Sequence, residues 1–246
     1  MTKVYFVSDL HLGVPNKIAS LEREKLFVRW LTEIRKDATA IYLLGDVFDF
    51  WFEYKKVIPR GYTRILGKLS EIADSGIPIY FFTGNHDMWA FDYLKDEVGI
   101  KEIYRGNIHI EINNKKFYLG HGDGLGPGDK GYKIIKKIFA SSLCQWLFAR
   151  LHPNFGISIA EYWSKKSRIA NSVKDEVNHG DKEWLTQFCK QKMKTIEVDY
   201  FIFGHRHLPL NIDLGQNTTY MNLGEWVNYN TYAVFDGGKL ELREFS

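Results

Sequence analysis

The sequence predicts an α/β protein whose core contains parallel strands and is interrupted by a helical insertion. Three apolar, β-rich runs, "KVYFVSD", "AIYLLGD" and "PIYFFTG", each end in a polar turn. Segments with apolar residues at helical spacing separate these runs. This alternation is typical of parallel strands joined by right-handed crossovers. A mostly helical stretch, 131–192, follows, and strand-like runs resume after it.

The predicted elements follow one another regularly along the chain. Apolar residues recur at helical spacing over 18–36 and again over 62–75. The alternating run "IHIEINNKKFYL" predicts a hairpin that turns at Asn113 and Asn114. After the helical stretch, "VDYFIFGHRH", "TTYMNLGEW", "TYAVFD" and "KLELREF" predict the remaining strands.

Length and composition fit a globular core with one insertion. The chain has 246 residues, of which 45% are hydrophobic. We place the core at 1–124 and 195–246 and the insertion at 125–194. From Leu125 to Asp175 basic residues outnumber acidic residues by nine to three. This part of the insertion is therefore expected to face something anionic.

Several protein classes are disfavoured by the sequence. No apolar run is long enough for a spanning helix, and the N-terminal residues lack the pattern of a secretory signal. Cys144 and Cys189 lie far apart and outside any metal-type spacing, which fits reduced thiols. We therefore expect a cytoplasmic protein rather than a secreted disulfide scaffold.

Five polar turns carry the residues best suited to chemistry: "SDLHLG", "GDVFDFW", "GNHD", "GHGD" and "GHRH", which hold five of the eight histidines. Each follows a strand-like run, where ligands bind in open α/β sheets. Imidazole, carboxylate and amide groups suit Mn²⁺, Fe, Zn or Ni. One such turn alone is usually only a polar loop, but five together predict a site for two metal ions. The candidate ligands are Asp9, His11, Asp46, Asn85, His121, His205 and His207.

The ordered set D-x-H, G-D-x-x-D, G-N-H-D, G-H-G-D and G-H-x-H resembles the motifs of the calcineurin-like metallophosphoesterases. The resemblance implies a four-layer α-β-β-α sandwich with the helical insertion as a lid. It also implies two divalent ions, Mn²⁺ in our prediction, bridged by Asp46. The other implied ligands are Asp9, His11 and His207 for one ion, and Asn85, His121 and His205 for the other.

The resemblance also implies hydrolysis by in-line attack on phosphorus. In that reaction His86 stabilises charge or protonates the leaving oxygen, as an imidazole with a near-neutral pKa can do. Asp87 is the candidate for orienting His86, and Asp49 is a candidate for supporting the ligands. A purely structural role in a turn remains open for both carboxylates.

The insertion carries apolar residues at helical spacing with lysines beside them. These apolar residues are Ile134, Ile135, Ile138, Phe139, Leu143, Trp146, Leu147 and Leu151. A basic amphipathic helix of this kind can lie at a membrane interface or receive acyl chains. It can also be an ordinary amphipathic helix that packs on the sheet with its lysines in solvent, and periodicity alone favours this alternative slightly.

Residues after "GHGD" resemble one branch of the family, the UDP-2,3-diacylglucosamine pyrophosphohydrolases of lipid A biosynthesis. The matching patterns are "D-x-x-Y", "S-x-x-x-N-x-x-K" and a closing "LG-x-W". By this resemblance the substrate contacts are Asn85, His86, Asp129, Tyr132, Ser167, Asn171, Lys174 and His205. His86 departs from the arginine of the best-studied members of that branch.

The resemblance therefore implies a dinuclear hydrolase that converts UDP-2,3-diacylglucosamine to UMP and 2,3-diacylglucosamine 1-phosphate. Its partners would be this lipid nucleotide and the inner face of the cytoplasmic membrane, with peripheral association and no obligate protein partner. The departure at His86 leaves a phosphodiesterase acting on a nucleotide, nucleic acid or other phosphodiester as the alternative. The mainly hydrophobic run 143–151 argues against a nucleic-acid substrate, because binding of nucleic acid needs a basic, polar groove with aromatic side chains on which bases stack. A scaffold that has lost catalysis is a further alternative, but no candidate ligand is missing.

Overall fold

The chain, described here by a computed structural model, forms two β-sheets that pack face to face. The structure describes residues 3–128, 130–175, 180 and 183–246, without the side chains of 167–175. The strands are β1 (Lys3–Val7), β2 (Ala38–Leu43), β3 (Ile79–Phe82), β4 (Glu102–Tyr104), β5 (Ile108–Ile112), β6 (Lys115–Leu119), β7 (Tyr200–Phe203), β8 (Pro209–Gly215), β9 (Thr218–Leu223), β10 (Thr231–Phe235) and β11 (Leu240–Glu244). The helices are α1 (Lys17–Ile34), α2 (Thr63–Asp74), α3 (Tyr93–Asp96), α4 (Lys130–Phe139), α5 (Ser142–Phe148), α6 (Pro153–Asp175) and α7 (Trp184–Lys192).

The first sheet has the strand order β11-β10-β1-β2-β3-β4. Its strands β1 to β3 are parallel, as the alternation of strands and helices predicts, and β4, which was not predicted, pairs parallel with β3. The last two strands of the chain return to this sheet, because β10 pairs antiparallel with β1. The predicted helices over 18–36 and 62–75 are confirmed as α1 and α2.

The second sheet has the order β5-β6-β7-β9-β8, with parallel pairs at its centre and antiparallel strands at its edges. The predicted hairpin is confirmed as β5 and β6. Asn113 and Asn114 both have positive φ, as a two-residue type I′ hairpin turn requires. The strand β8 was missed by the sequence analysis.

Three apolar clusters fill the spaces between four layers, so the implied α-β-β-α sandwich is confirmed. One cluster joins α1 and α2 to the first sheet, and another lies between the two sheets, with Phe6 stacked on Phe117. The third joins Leu185 and Cys189 of α7 to the outer face of the second sheet, where they pack with Phe201 and other apolar residues.

The span 125–194 contains helices with two kinds of surroundings. The helix α7 forms the fourth layer, whereas α4, α5 and α6 carry many exposed large apolar side chains. The boundary of the insertion at 125–194 stays a prediction, and from here "the insertion helices" means α4, α5 and α6. None of the helices within the described ranges is both long and apolar enough to cross a bilayer.

A candidate dinuclear metal centre

The five polar turns converge where the strands of both sheets end. They follow the carboxyl ends of β1, β2 and β3 in the first sheet and of β6 and β7 in the second. Because the two sheets face each other, turns that are far apart in sequence meet at one edge of the sandwich. The hydrogen bonds from His205 N–H to Asp9 and from His121 Nδ1–H to the Leu44 carbonyl join the two sheets there.

One group of candidate ligands comes from the first and last of these turns. Asp9, His11 and His207 place three ligand atoms within 4.8 Å of one another. The Asp9 Oδ1 atom lies 3.4 Å from His207 Nε2 and 3.7 Å from His11 Nε2. The two Nε2 atoms are 3.0 Å apart. Two imidazoles and a carboxylate that converge in this way suit a divalent cation.

A second group lies directly beside the first. Asp46, His121 and His205 also place ligand atoms within 4.8 Å of one another. The His121 Nε2 atom lies 3.2 Å from both Asp46 Oδ2 and Asn85 Oδ1. The same Asp46 oxygen is 3.9 Å from His11 Nε2, so Asp46 stands between the two groups. This is the place that a carboxylate shared by two ions has to occupy.

The hydrogen bonding of the two carboxylates fits cations rather than a closed polar network. Asp9 and Asp46 are buried, and each uses one oxygen to accept a backbone N–H, from His205 and from His86 respectively. Their other oxygens, Asp9 Oδ1 and Asp46 Oδ2, have no hydrogen-bond partner among the described residues. A buried charged oxygen without a partner is costly, and a metal ion would satisfy both atoms.

Buried carboxylates also set the protonation of the histidines. Burial by itself lowers the pKa of His11, but Asp49, Asp9 and Asp46 outweigh it and raise that pKa to about 10. The pKa of His121 rises to about 10 against the same burial effect, mainly through Asp46. The site therefore attracts positive charge, whether it is carried by protons or by metal ions.

The backbone at the ligands is unusual. Asp9, His11, Asp46, His205 and His207 all have φ between 44° and 67°. This left-handed region is disfavoured for residues with a side chain, and such residues concentrate at functional sites. Three of the turns therefore hold their ligands at a conformational cost that neighbouring contacts must offset.

Glycines allow the closest approaches between turns. A Cβ atom at Gly84 would collide with Asp46 Oδ1, and one at Gly204 would collide with Asp9 Oδ2. Both carboxylates can reach their positions only because these two residues lack side chains. This explains the glycine that precedes the polar residues in the "GNHD" and "GHRH" turns.

His86 stands next to both ligand groups. Its ring lies edge-on to the ring of His11, with 4.9 Å between centroids. Its Nδ1 atom is 2.8 Å from the Asp49 carbonyl oxygen, which can only accept, so Nδ1 carries the hydrogen. Burial lowers the pKa of His86 and favours the neutral ring. The Nε2 atom is then the ring nitrogen left for a bound group.

Asp87 has contacts that fit the structural role left open for it. Its two oxygens accept the backbone N–H groups of Gly84, at 2.7 Å, and Val47, at 2.8 Å. The described contacts to the His86 ring come from Asp49, Ser164 and His11, so an orienting role for Asp87 stays a prediction. Asp87 ties the "GNHD" turn to the "GDVFD" turn. Burial raises its pKa to about 7.

The predicted substrate contacts on the insertion are described only in part. The Tyr132 hydroxyl donates to Asp123 Oδ2 at 2.5 Å, and Lys136 Nζ lies 2.6 Å from the same oxygen. These contacts fix the start of α4 to the "GHGD" turn. Asp129 lies outside the described residues. The side chains of Ser167, Asn171 and Lys174, on α6, also lie outside them.

Two supporting groups escaped the sequence analysis. Arg206, between two candidate ligands, is fully buried and pairs with Glu183 through Nε at 2.7 Å, with its guanidinium over the Trp184 ring. Ser164 of α6 contacts His86 and Asp49. The position of Arg206 between two candidate ligands in "GHRH" could have indicated its supporting role from the sequence. Ser164 lies in an ordinary helical pattern, which gives no such indication.

Comparisons with known proteins give a consistent result. The sequence profile of the calcineurin-like phosphoesterase family matches residues 2–209. A protein named UDP-2,3-diacylglucosamine hydrolase from Porphyromonas gingivalis is 39% identical over 98% of this chain and 97% of its own length. Proteins of the same name from Histophilus somni and Vibrio vulnificus are each 30% identical. They match over 92% and 98% of this chain and 93% and 97% of their own lengths.

Solved structures are similar at lower identity. An archaeal phosphodiesterase has a TM-score of 0.48 and 17% identity, and the match covers 98% of this chain and 97% of that one. Yfce, a phosphoesterase from E. coli, has a TM-score of 0.47 and 18% identity, over 99% of this chain and 93% of that one.

Proposed function

The chain belongs to the calcineurin-like phosphoesterase family, and within that family we propose that it hydrolyses UDP-2,3-diacylglucosamine to UMP and 2,3-diacylglucosamine 1-phosphate. The observation that carries this proposal is the 39% identity to a protein named for that substrate, over almost the full length of both chains. The match includes the insertion, where substrates can be distinguished, and not only the metal-binding turns.

The family and the clustered ligands support divalent metal ions as cofactors. We propose two ions, with Mn²⁺ as the metal, and Asp46 as their shared ligand. One set would add Asp9, His11 and His207; the other would add Asn85, His121 and His205. When bound, such ions activate water and neutralise the charge of phosphate oxygens.

The remaining catalytic work falls to His86. In the proposed reaction the His86 ring takes up a second proton from solvent, on Nε2, and this Nε2–H group faces the phosphate and stabilises or protonates the oxygen that leaves. The hydrogen bond from Nδ1 to the Asp49 carbonyl supports this role, because it fixes the ring orientation and keeps the first proton on Nδ1, so that Nε2 is the nitrogen that exchanges the second proton. Asp87 supports the reaction through the backbone of the turn that carries His86.

The insertion helices support a lipid substrate. They carry most of the exposed large apolar side chains that are described: Ile134, Ile135, Ile138, Leu143, Trp146, Leu147, Phe155, Tyr162 and Trp163. Lysines lie beside them on α4. We propose that this surface, which we call the apolar face, takes up acyl chains and rests on the inner face of the cytoplasmic membrane from the cytoplasm. The Arg150 guanidinium over the Trp146 ring places a cation on this face.

The test is direct. Purified protein is incubated with UDP-2,3-diacylglucosamine and Mn²⁺, and UMP is measured over time. We expect UMP and the lipid monophosphate in equal amounts, with no activity after removal of metal by a chelator and recovery when Mn²⁺ is returned. Cleavage of bis(4-nitrophenyl) phosphate without any release of UMP would overturn the proposed substrate and leave a phosphodiesterase.

A further inference from the structure

The helix α6 reaches from the insertion to the candidate active site, where its described side chain of Ser164 makes direct contact. This serine is buried, with 9% of its surface exposed, although its neighbours Tyr162 and Trp163 are 65% and 58% exposed. Its hydroxyl oxygen lies 2.9 Å from Asp49 Oδ2 and 3.2 Å from His86 Nδ1. A polar residue of the insertion is thus in direct contact with the candidate catalytic histidine.

The directions of these hydrogen bonds are mutually consistent. Ser164 has one hydrogen, which it donates to the Asp49 carboxylate. The His86 Nδ1–H group donates a bifurcated hydrogen bond, to the Asp49 carbonyl at 2.8 Å and to a lone pair of the Ser164 oxygen at 3.2 Å. Ser164 and Asp49 therefore both contact the imidazole ring at Nδ1.

Asp49 extends this contact to the metal ligands. Its Oδ1 atom lies 3.5 Å from His11 Nδ1 and 3.8 Å from His86 Nδ1, while Oδ2 is held by Ser164. A carboxylate that faces two rings needs a further contact to set its own rotation. Among the described contacts, Ser164, which lies 115 positions further along the chain, provides one.

We propose that Ser164 is a positioning residue, which orients His86 and the Asp49 carboxylate so that the catalytic arrangement is complete only with α6 seated on the core. The inference rests on the proposed function, because it concerns the role of His86 in that hydrolysis. The Ser164 contacts link the insertion to the core. A lipid substrate that contacts the insertion therefore also contacts the group of helices that orients the His86 ring.

The decisive variant is Ser164→Ala. We expect kcat to fall by about 10- to 100-fold, as for other groups that orient a catalytic side chain, with KM within about twofold and metal content unchanged. Ser164→Thr retains the hydroxyl and should recover most of kcat. Ser158→Ala is the matched control, because Ser158 lies on the same helix, is exposed, and bonds only within α6 to the Asn154 carbonyl in its described contact.

A double-mutant cycle separates positioning from general support of the fold. If Ser164 acts through His86, Ser164→Ala has no further effect on kcat in a His86→Ala background. Independent, multiplicative losses would overturn the proposal, and so would a raised KM with unchanged kcat. Ser164→Cys, which keeps the size but weakens the donor, must lose activity as well.

The cycle is run in parallel on bis(4-nitrophenyl) phosphate, so that the two proposals fail separately. Absence of UMP from the wild-type protein would overturn the lipid substrate, while the cycle on the generic phosphodiester would still test Ser164. Full activity of Ser164→Ala on a substrate that the wild-type protein cleaves would overturn the positioning role alone.

Discussion

The metal centre and the insertion helices each place side chains in the surroundings that their class usually avoids. At the centre, charged groups are buried: Asp9 is 0% exposed and Asp46 is 1% exposed. On the insertion, large apolar groups are in contact with solvent, such as Leu143 at 66% and Trp146 at 54%. Each arrangement is unfavourable by itself, since buried charge and exposed apolar surface both cost free energy.

The difference fits the proposal that each region binds something from outside the chain. Cations would satisfy the oxygens of Asp9 and Asp46 that accept no hydrogen bond among the described residues, and an apolar partner would cover the apolar face. The two needs differ in precision, because a metal ion constrains ligand atoms to fractions of an ångström, whereas apolar burial depends mainly on area. Substitutions at the centre should therefore have large, local effects, and substitutions on the insertion small, additive ones.

The largest effect is expected for Asp46→Asn. This change removes the charge between the two ligand groups, so metal content should fall and kcat should drop by on the order of 10³. Metal analysis and UMP release measure both. Asp236→Asn is the control, since Asp236 is exposed and accepts only nearby backbone N–H groups in its described contacts, and it should behave as the wild type. Normal metal content in Asp46→Asn would contradict the shared-ligand role.

The next effect concerns the buried pair behind the "GHRH" turn. Glu183→Gln removes the charge that faces Arg206 and should cost about 3–5 kcal/mol of stability. Because Arg206 separates two candidate ligands, metal affinity should fall as well. Urea unfolding and metal titration measure the two effects.

Glu241→Gln provides the contrast. It breaks the exposed pair with Arg243 and should leave stability nearly unchanged. Equal losses of stability in the two variants would show that burial does not distinguish the two ion pairs. They would contradict the role of Arg206 in supporting the candidate ligands.

The sequence predicts features that short local patterns encode better than features that depend on tertiary contacts. The turns and most strands could be predicted because short local patterns encode them, from "SDLHLG" to the Asn113–Asn114 hairpin. The edge strands β4 and β8 were missed, because β4 has only three residues and β8 begins at Pro209, although its residues "PLNIDLG" alternate between apolar and polar. Contacts such as that between Ser164 and Asp49 could not be predicted, since they join residues far apart in sequence through tertiary packing alone.

A smaller effect is expected on the apolar face. Ile138→Asp should weaken binding to anionic lipid vesicles by about tenfold or more, because burial of such a side chain contributes about 1.5–3 kcal/mol. Stability should change little, since Ile138 is 52% exposed. Ile18→Asp is the control, because Ile18 is 78% exposed on α1 of the core. Vesicle flotation measures binding, and equal losses in both variants would contradict a membrane role specific to the insertion.

The smallest effect should come from a single charge beside that face. Lys137 is exposed on α4, so Lys137→Gln removes a cation without disturbing the packing. A lysine near an anionic membrane contributes about 1 kcal/mol, and affinity for anionic vesicles should fall about fivefold. The difference should shrink as salt is raised, because screening shortens the range of the attraction. Lys101→Gln, an exposed lysine of the core, should bind as the wild type does. Equal binding of all three proteins at low salt would show that the insertion meets the membrane through apolar contact alone.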